Sequence, residues 1–188
     1  MSFWTKVLQR LVSIILTMSA LNMAFRGSRE SIGEGVCEGG NFLGVVALVA
    51  QYDDVLREVI FLPKRATKYL SPVIQNELIS LLGTSLRKAL VDKINRAPFW
   101  SVILDTTSDI TRIDQLSVVI RWVNIRDDSF EINETFLGFV VVTEADAQGI
   151  VDTKKTYLVD LGLSFSRLRG QCYDGASVMS GVRGGVQK

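Results

Sequence analysis

The sequence predicts an α/β fold in which a helical first half leads into a mixed sheet of three antiparallel strands, a crossover helix and a fourth, parallel strand. Three observations carry this expectation. The apolar spacing is helical as far as Pro98 and turns extended at Phe99. Three β-branched and aromatic runs then follow one another across short links, which implies an antiparallel meander. A helical stretch separates the third run from a fourth, and such a crossover places the fourth strand parallel to one already in the sheet.

The elements follow in order. Lys6 and Arg10 precede an apolar stretch from Leu11 to Phe25, a layout shared with secretory signal peptides. However, Lys6, Arg10, Ser13 and Thr17 recur on one side at helical spacing, and the run is too short to span a bilayer. The expectation is therefore an amphipathic helix packed on protein. Arg26 to Gly40, rich in Gly, Ser and Glu, reads as a loop. Asn41 can cap one helix whose apolar positions Phe42, Val45, Val46, Val49, Tyr52, Leu56 and Ile60 keep the 3.6-residue period until Pro63. Ser71-Pro72 marks the next helix start, because the hydroxyl can cap free N–H groups and proline at the first position forfeits no hydrogen bond. Ile74, Leu78, Leu81, Leu82, Leu86, Leu90 and Ile94 then line one face.

Phe99 to Leu104, ending in Asp105, is the first strand and Leu116 to Val123 the second. Arg126 to Ser129 is a turn and Phe130 to Val142 the third strand. Ala145 to Leu161 is the crossover helix, with Gly162 as its C-terminal cap, and Ser166 to Cys172 is the fourth strand. The expected organisation is a helical region over 1–97 and a sheet core over 98–188.

Composition narrows the chemistry. Hydrophobic residues make up 47% of the 188 and charged residues 22%, which is ordinary globular usage and excludes a disordered chain. The net charge of +1 supplies no global field toward nucleic acid or membrane, so any such contact must be local. There is no histidine, which removes Ser-His-Asp and Cys-His nucleophilic sites, His-bearing zinc sites and imidazole acid–base catalysis. Cys37 and Cys172 stand alone, so reduced thiols and an intracellular setting, nuclear or cytoplasmic, are expected. Carboxylates, hydroxyls and bases remain.

Asp105 and Asp174 end the first and fourth strands. If those strands are parallel neighbours, both acids meet at one sheet end, where they can hold Mg²⁺, a hard cation suited to phosphoryl transfer. The alternative is that Asp105 caps a turn and Asp174-Gly175 is a turn dipeptide. Arg26, Arg29, Lys64, Arg65 and Lys68 can touch phosphates or form a solvated face, and Trp4, Trp100 and Trp122 fit core or sheet packing better than base stacking. Gly181, Gly184 and Gly185 lack the Lys-Ser/Thr and the following helix of a phosphate loop.

Longer motifs add to this reading. Leu104-Asp-Thr-Thr-Ser-Asp-Ile110, Gln115-Leu-Ser-Val-Val-Ile-Arg121, Phe136-Leu-Gly-Phe139 and Leu168-Arg-Gly-Gln-Cys-Tyr-Asp-Gly-Ala-Ser-Val-Met-Ser-Gly181 occur in that order. Upstream stand Ala24-Phe-Arg-Gly27 with Arg29-Glu30, Gly40-Asn-Phe-Leu43, Tyr52-Asp53, Tyr69-Leu-Ser-Pro72 and Ile74-Gln-Asn-Glu-Leu78. Together, over nearly the whole chain, they resemble the transposase-like domain (DUF4371 type) of zinc-finger MYM-type proteins and related hAT-superfamily transposases. The resemblance implies a ribonuclease-H-like fold and a metal-dependent nucleotidyl transferase that cuts and rejoins DNA, using Mg²⁺ or Mn²⁺ held by two aspartates and a glutamate. The aspartates match Asp105 and Asp174.

In the family the glutamate lies beyond a helical insertion and is followed by a dimerisation region. Gly175 to Lys188 contains no acid. The expectation is thus an incomplete site without autonomous strand transfer, homo-oligomerisation only with a C-terminal region, no membrane association and a partly exposed, association-prone sheet. The chain also departs from the family pattern at Thr106, usually acidic, at Val178, usually Asn, and at Ser28, usually His, and each departure argues against a working enzyme. The second expectation is a domesticated protein-interaction module with no catalysis.

Overall fold

A computed structural model describes residues 2–27, 32–33, 36–37, 40–63, 65–108, 114–126, 129–142 and 147–173. Two compact units divide at Gly83/Thr84.

In the first unit, helix α1 (Phe3–Ala20) is capped by Ser2, whose hydroxyl accepts the Thr5 N–H at 3.3 Å. Its stripe of Val7, Leu11, Ile14, Ile15 and Met18 is buried against Phe42, Leu43 and Val46 of α2 (Asn41–Ala50) and Leu56 and Val59 of α3 (Asp54–Phe61). The polar side that resembles a signal-peptide flank is the outer face of this amphipathic helix, and no described helix is long and apolar enough to cross a membrane. The single helix expected over 41–60 is two helices. Asp53 takes an extended backbone (φ −119°, ψ 114°) and its carboxylate accepts the Leu56 N–H at 2.9 Å, so a new N-terminus interrupts the period. Tyr52 accordingly leaves the apolar face and is 84% exposed. Gly40, rather than Asn41, occupies the cap of α2, and Asn41 donates to the Ala24 carbonyl instead. Within the stretch expected to be a loop, β1 (Ile32–Gly33) and β2 (Val36–Cys37) pair as a short antiparallel ladder.

Helix α4 (Pro72–Arg96) starts where Ser71-Pro72 predicts, with the Ser71 hydroxyl accepting the Ile74 N–H at 3.4 Å. Its apolar line does not stay on one buried face. Leu78 and Leu82 pack on the first core, Leu90 and Ile94 on the second, and Leu81 and Leu86 are exposed. The helix passes from one unit to the next, so each half turns its own stripe inward.

The second unit is the mixed sheet that the strand order predicts. Strands β3 (Trp100–Ser108), β4 (Asp114–Arg126) and β5 (Ser129–Val141) form the antiparallel meander. Helix α5 (Ala147–Asp160) then leads through a 3₁₀ turn to β6 (Leu168–Tyr173), which pairs parallel to β3 and gives the order β5-β4-β3-β6. Gly162 closes α5 in the left-handed region (φ +76°), as expected, with the Leu163 N–H reaching back to the Leu158 carbonyl at 3.1 Å. Alternate residues Trp100, Val102, Leu104, Leu116, Val118, Ile120 and Trp122 form one buried face, covered by Val91 and Ile94 of α4 and Ile150 and Leu158 of α5. On β5 the opposite alternation leaves Phe130, Ile132, Phe136 and Phe139 exposed.

Candidate functional site

The candidate site lies at the C-terminal end of the parallel β3–β6 pair. That ladder runs from Trp100↔Leu168 to Leu104↔Tyr173, and its last pair immediately precedes Asp105 and Asp174 in sequence. Asp105 is exposed and alternates with the buried Leu104, which puts it on the face away from the core. It does not end its strand. Thr106, Thr107 and Ser108 continue the antiparallel ladder opposite Leu116, Gln115 and Asp114, as threonine's β preference favours. Asp105 is therefore the first residue of β3 beyond the described β6 pairing, and the Ser117 hydroxyl donates to its backbone carbonyl at 3.2 Å. Asp174, Val178 and the three late glycines lie outside the described residues, as do Ser28, Arg29 and Lys64. Thr106 is half-buried on β3.

The donor chemistry suits a hard divalent cation in part. Asp105 offers exposed carboxylate oxygens that form no ion pair among the described residues. Among the described residues no group of three Asp, Glu, Cys or His side chains comes together to hold a metal.

Behind the strand end sits a buried cation that sequence reasoning missed. Lys154 of α5 is 6% exposed, and its Nζ donates to Gln171 Oε1 at 3.3 Å and the Tyr173 hydroxyl at 3.1 Å. Tyr173 in turn donates to Gln171. Burial, with Lys155 adding like-charge repulsion, holds the Lys154 pKa below its ordinary value, and burial pushes the Tyr173 phenol up to about 12. The cluster ties α5 to the last residues of β6. Its only sequence signal is a lysine on the otherwise apolar Ile150–Leu158 side of the helix.

The scattered basic residues are partly committed to the fold. Arg26 binds the Pro72 carbonyl and Asn76, and Lys68 donates to the Ile60 carbonyl at 2.7 Å. The tryptophans pack as expected: Trp100 and Trp122 are buried, Trp122 Nε1 donates to Thr135 at 2.9 Å, and Trp4 lies 5.2 Å from the Tyr69 ring. Cys172 is a free, exposed thiol.

Two similar curated proteins are both named 52 kDa repressor of the inhibitor of the protein kinase. The human protein is 27% identical over 169 residues, which is 88% of this chain and 22% of the relative. The mouse protein is 26% identical over the same shares. The chain thus spans about a fifth of the length of these relatives. The family model described as the ZMYM1/FAM200 RNase-like domain, DUF4371, matches residues 2–185. With a sheet whose one parallel pair ends beside an exposed aspartate and a family match over almost every residue, the chain belongs to the ZMYM1/FAM200 RNase-like domain family.

Proposed function

We propose that this domain derives from an hAT-type transposase and carries two acids of a nucleotidyl-transfer site, with Asp105 and Asp174 as carboxylate ligands for Mg²⁺ or Mn²⁺. The observation that supports this reading best is the Leu104↔Tyr173 pair, the last of the parallel ladder. It precedes both acids, and continuing that register by one residue would set Asp105 beside position 174. When bound, such ions polarise a phosphodiester and activate the attacking oxygen. The protein's own part is to present Asp105 from β3, while Lys154, through Tyr173, ties down the strand that precedes Asp174 in sequence.

Gly175 to Lys188 contains no acid, and a third carboxylate, as the family resemblance implies, would complete the site. Two carboxylates alone are expected to hold a divalent ion less tightly than a site with three. DNA is the partner and the nucleus the setting that this reading implies; self-association through a dimerisation region would belong to a longer chain. The test is Mn²⁺ binding followed by the fall in free-ion electron paramagnetic resonance signal. Asp105→Ala and Asp174→Ala are each expected to weaken binding about tenfold or more, in the range seen when metal-site groups are removed. Unchanged affinity in both variants would favour the second reading, a protein-interaction module in which the acids are structural. The exposed apolar residues of β5, Phe130, Ile132, Phe136 and Phe139, are the observation in that reading's favour.

A further inference from the structure

The last turns of α4 and the β4–β5 hairpin enclose two adjoining hollows of about 440 and 420 Å³ that share Lys93, Arg96, Trp122 and Asn124. Arg167 lines the first, and Arg126 and Glu131 the second. Four cations thus face one acid in a chain whose net charge is only +1. We propose that this cleft binds the phosphodiester backbone of nucleic acid, through Lys93, Arg96 and Arg126.

Basic residues at a helix C-terminus ordinarily offset the negative end of its dipole and cap its carbonyls. In α4 part of that need is met from elsewhere, because the Arg167 guanidinium donates to the Asn95 carbonyl and, at 2.8 Å, to the Ala97 carbonyl just past the helix end. Lys93 and Arg96 add two further cations there. Both are exposed, as is Arg126, and none of the three is in an ion pair among the described residues. Two of them are guanidiniums, whose planar fork suits phosphate oxygens, and Asn124 and Asn133 add neutral amide donors along the same wall.

The lining also indicates what is not read. Trp122 is 8% exposed and its indole N–H is used by Thr135, so the cleft presents no free aromatic face for stacking a base. Contacts of this kind fix a backbone without reading sequence. Apolar residues such as Leu90, Pro98, Val123 and Ile125 also line the hollows, but the excess of cations over acids favours a polyanion over an apolar protein anchor. Asp127 and Asp128 follow Arg126 in sequence and oppose an anion, so the α4 cations are expected to carry more of the binding than Arg126.

The choice of partner rests on the reading proposed above, but the surface does not involve Asp105 or Asp174, and the experiment separates them. The whole chain is titrated into a fluorescein-labelled 20-base-pair duplex in EDTA, across a salt series, with anisotropy as readout. The wild type is expected to bind in EDTA. Lys93→Ala with Arg96→Ala should weaken binding about tenfold and lower the slope of log K against log salt by about 2, roughly one for each phosphate no longer neutralised. Arg126→Gln, on a strand instead of the helix, should lower the slope by up to about 1. A second duplex of unrelated sequence should bind equally. Equal weakening by Lys6→Ala with Lys155→Ala, two exposed cations elsewhere, would reduce the effect to net charge and overturn the inference. So would equal displacement by poly-glutamate, which would make the cleft a general acidic-protein surface. Failure to bind the duplex with Mn²⁺ affinity intact would sink this inference alone, and the reverse would sink only the metal reading.

Discussion

Asp53 does two jobs with one carboxylate. Oδ1 accepts the Leu56 N–H that opens α3, and Oδ2 accepts Arg10 Nε of α1 at 2.6 Å. Burial pushes this carboxyl up, but the Leu56 and Val55 amides and the Arg10 guanidinium outweigh it and the net direction is down. Asp53→Ala is expected to cost about 1–2 kcal/mol, the usual range for removing an N-cap, measured by urea unfolding at pH 7. Asp53→Asn keeps a capping oxygen and removes the charge. Because the folded pKa lies below the ordinary 3.8, the charge-dependent part is present above that value and disappears as pH falls through the folded pKa. The unfolding midpoints of the wild type and of Asp53→Asn should therefore converge in acid. Tyr52-Asp53 stands out as a motif, yet periodicity carries a helix straight through it. Nothing in the spacing reveals a side chain that prefers capping to continuing.

At the scale of elements, the β5 bulge shows how packing decides geometry. Val118 pairs with Gly138 and Val119 with Phe136, so Leu137 is the extra residue. Gly138 sits at φ +148°, and a Cβ there would lie 2.6 Å from the Tyr157 hydroxyl. That hydroxyl donates to the Leu137 carbonyl at 2.9 Å and so anchors α5 on the bulge. Gly138→Ala should destabilise by about 2 kcal/mol through backbone strain and overpacking, read as a lower thermal midpoint. Adding Tyr157→Phe removes the clashing oxygen, so the double variant should be destabilised by less than the sum of the two single effects. Gly162→Ala should cost about 1 kcal/mol in the same assay, since only its left-handed φ and not its space is restrictive. The Gly162 cap is legible in the sequence because a glycine after a helical period has few other meanings. The bulge is not, because its cause is a tyrosine about twenty positions away.

For the molecule as a whole, the consequence is an apolar sheet face with little described cover. Phe136 and Phe139 are 51% and 58% exposed with ring centroids 5.0 Å apart, and Phe130 is 74% exposed. The purified chain is expected to self-associate as concentration rises. Phe136→Lys with Phe139→Lys should reduce this in static light scattering while leaving the unfolding free energy within about 1 kcal/mol of wild type. A monodisperse wild-type monomer at high concentration would contradict it. The sequence by itself determined the helix and strand types from α4 onward, the antiparallel meander, the parallel fourth strand and, to within about two residues, the α4 and α5 boundaries, because each follows from local period, capping chemistry or chain connectivity. It also singled out Asp105, from a strand end and a motif. Only the tertiary structure decided that β3 continues past Asp105, that α4 divides its apolar line between two cores, that Lys154 is buried behind the strand end and that Lys93, Arg96 and Arg126 share one cleft. Those features depend on which distant residues meet, and neither periodicity nor propensity encodes a meeting between positions far apart in the chain.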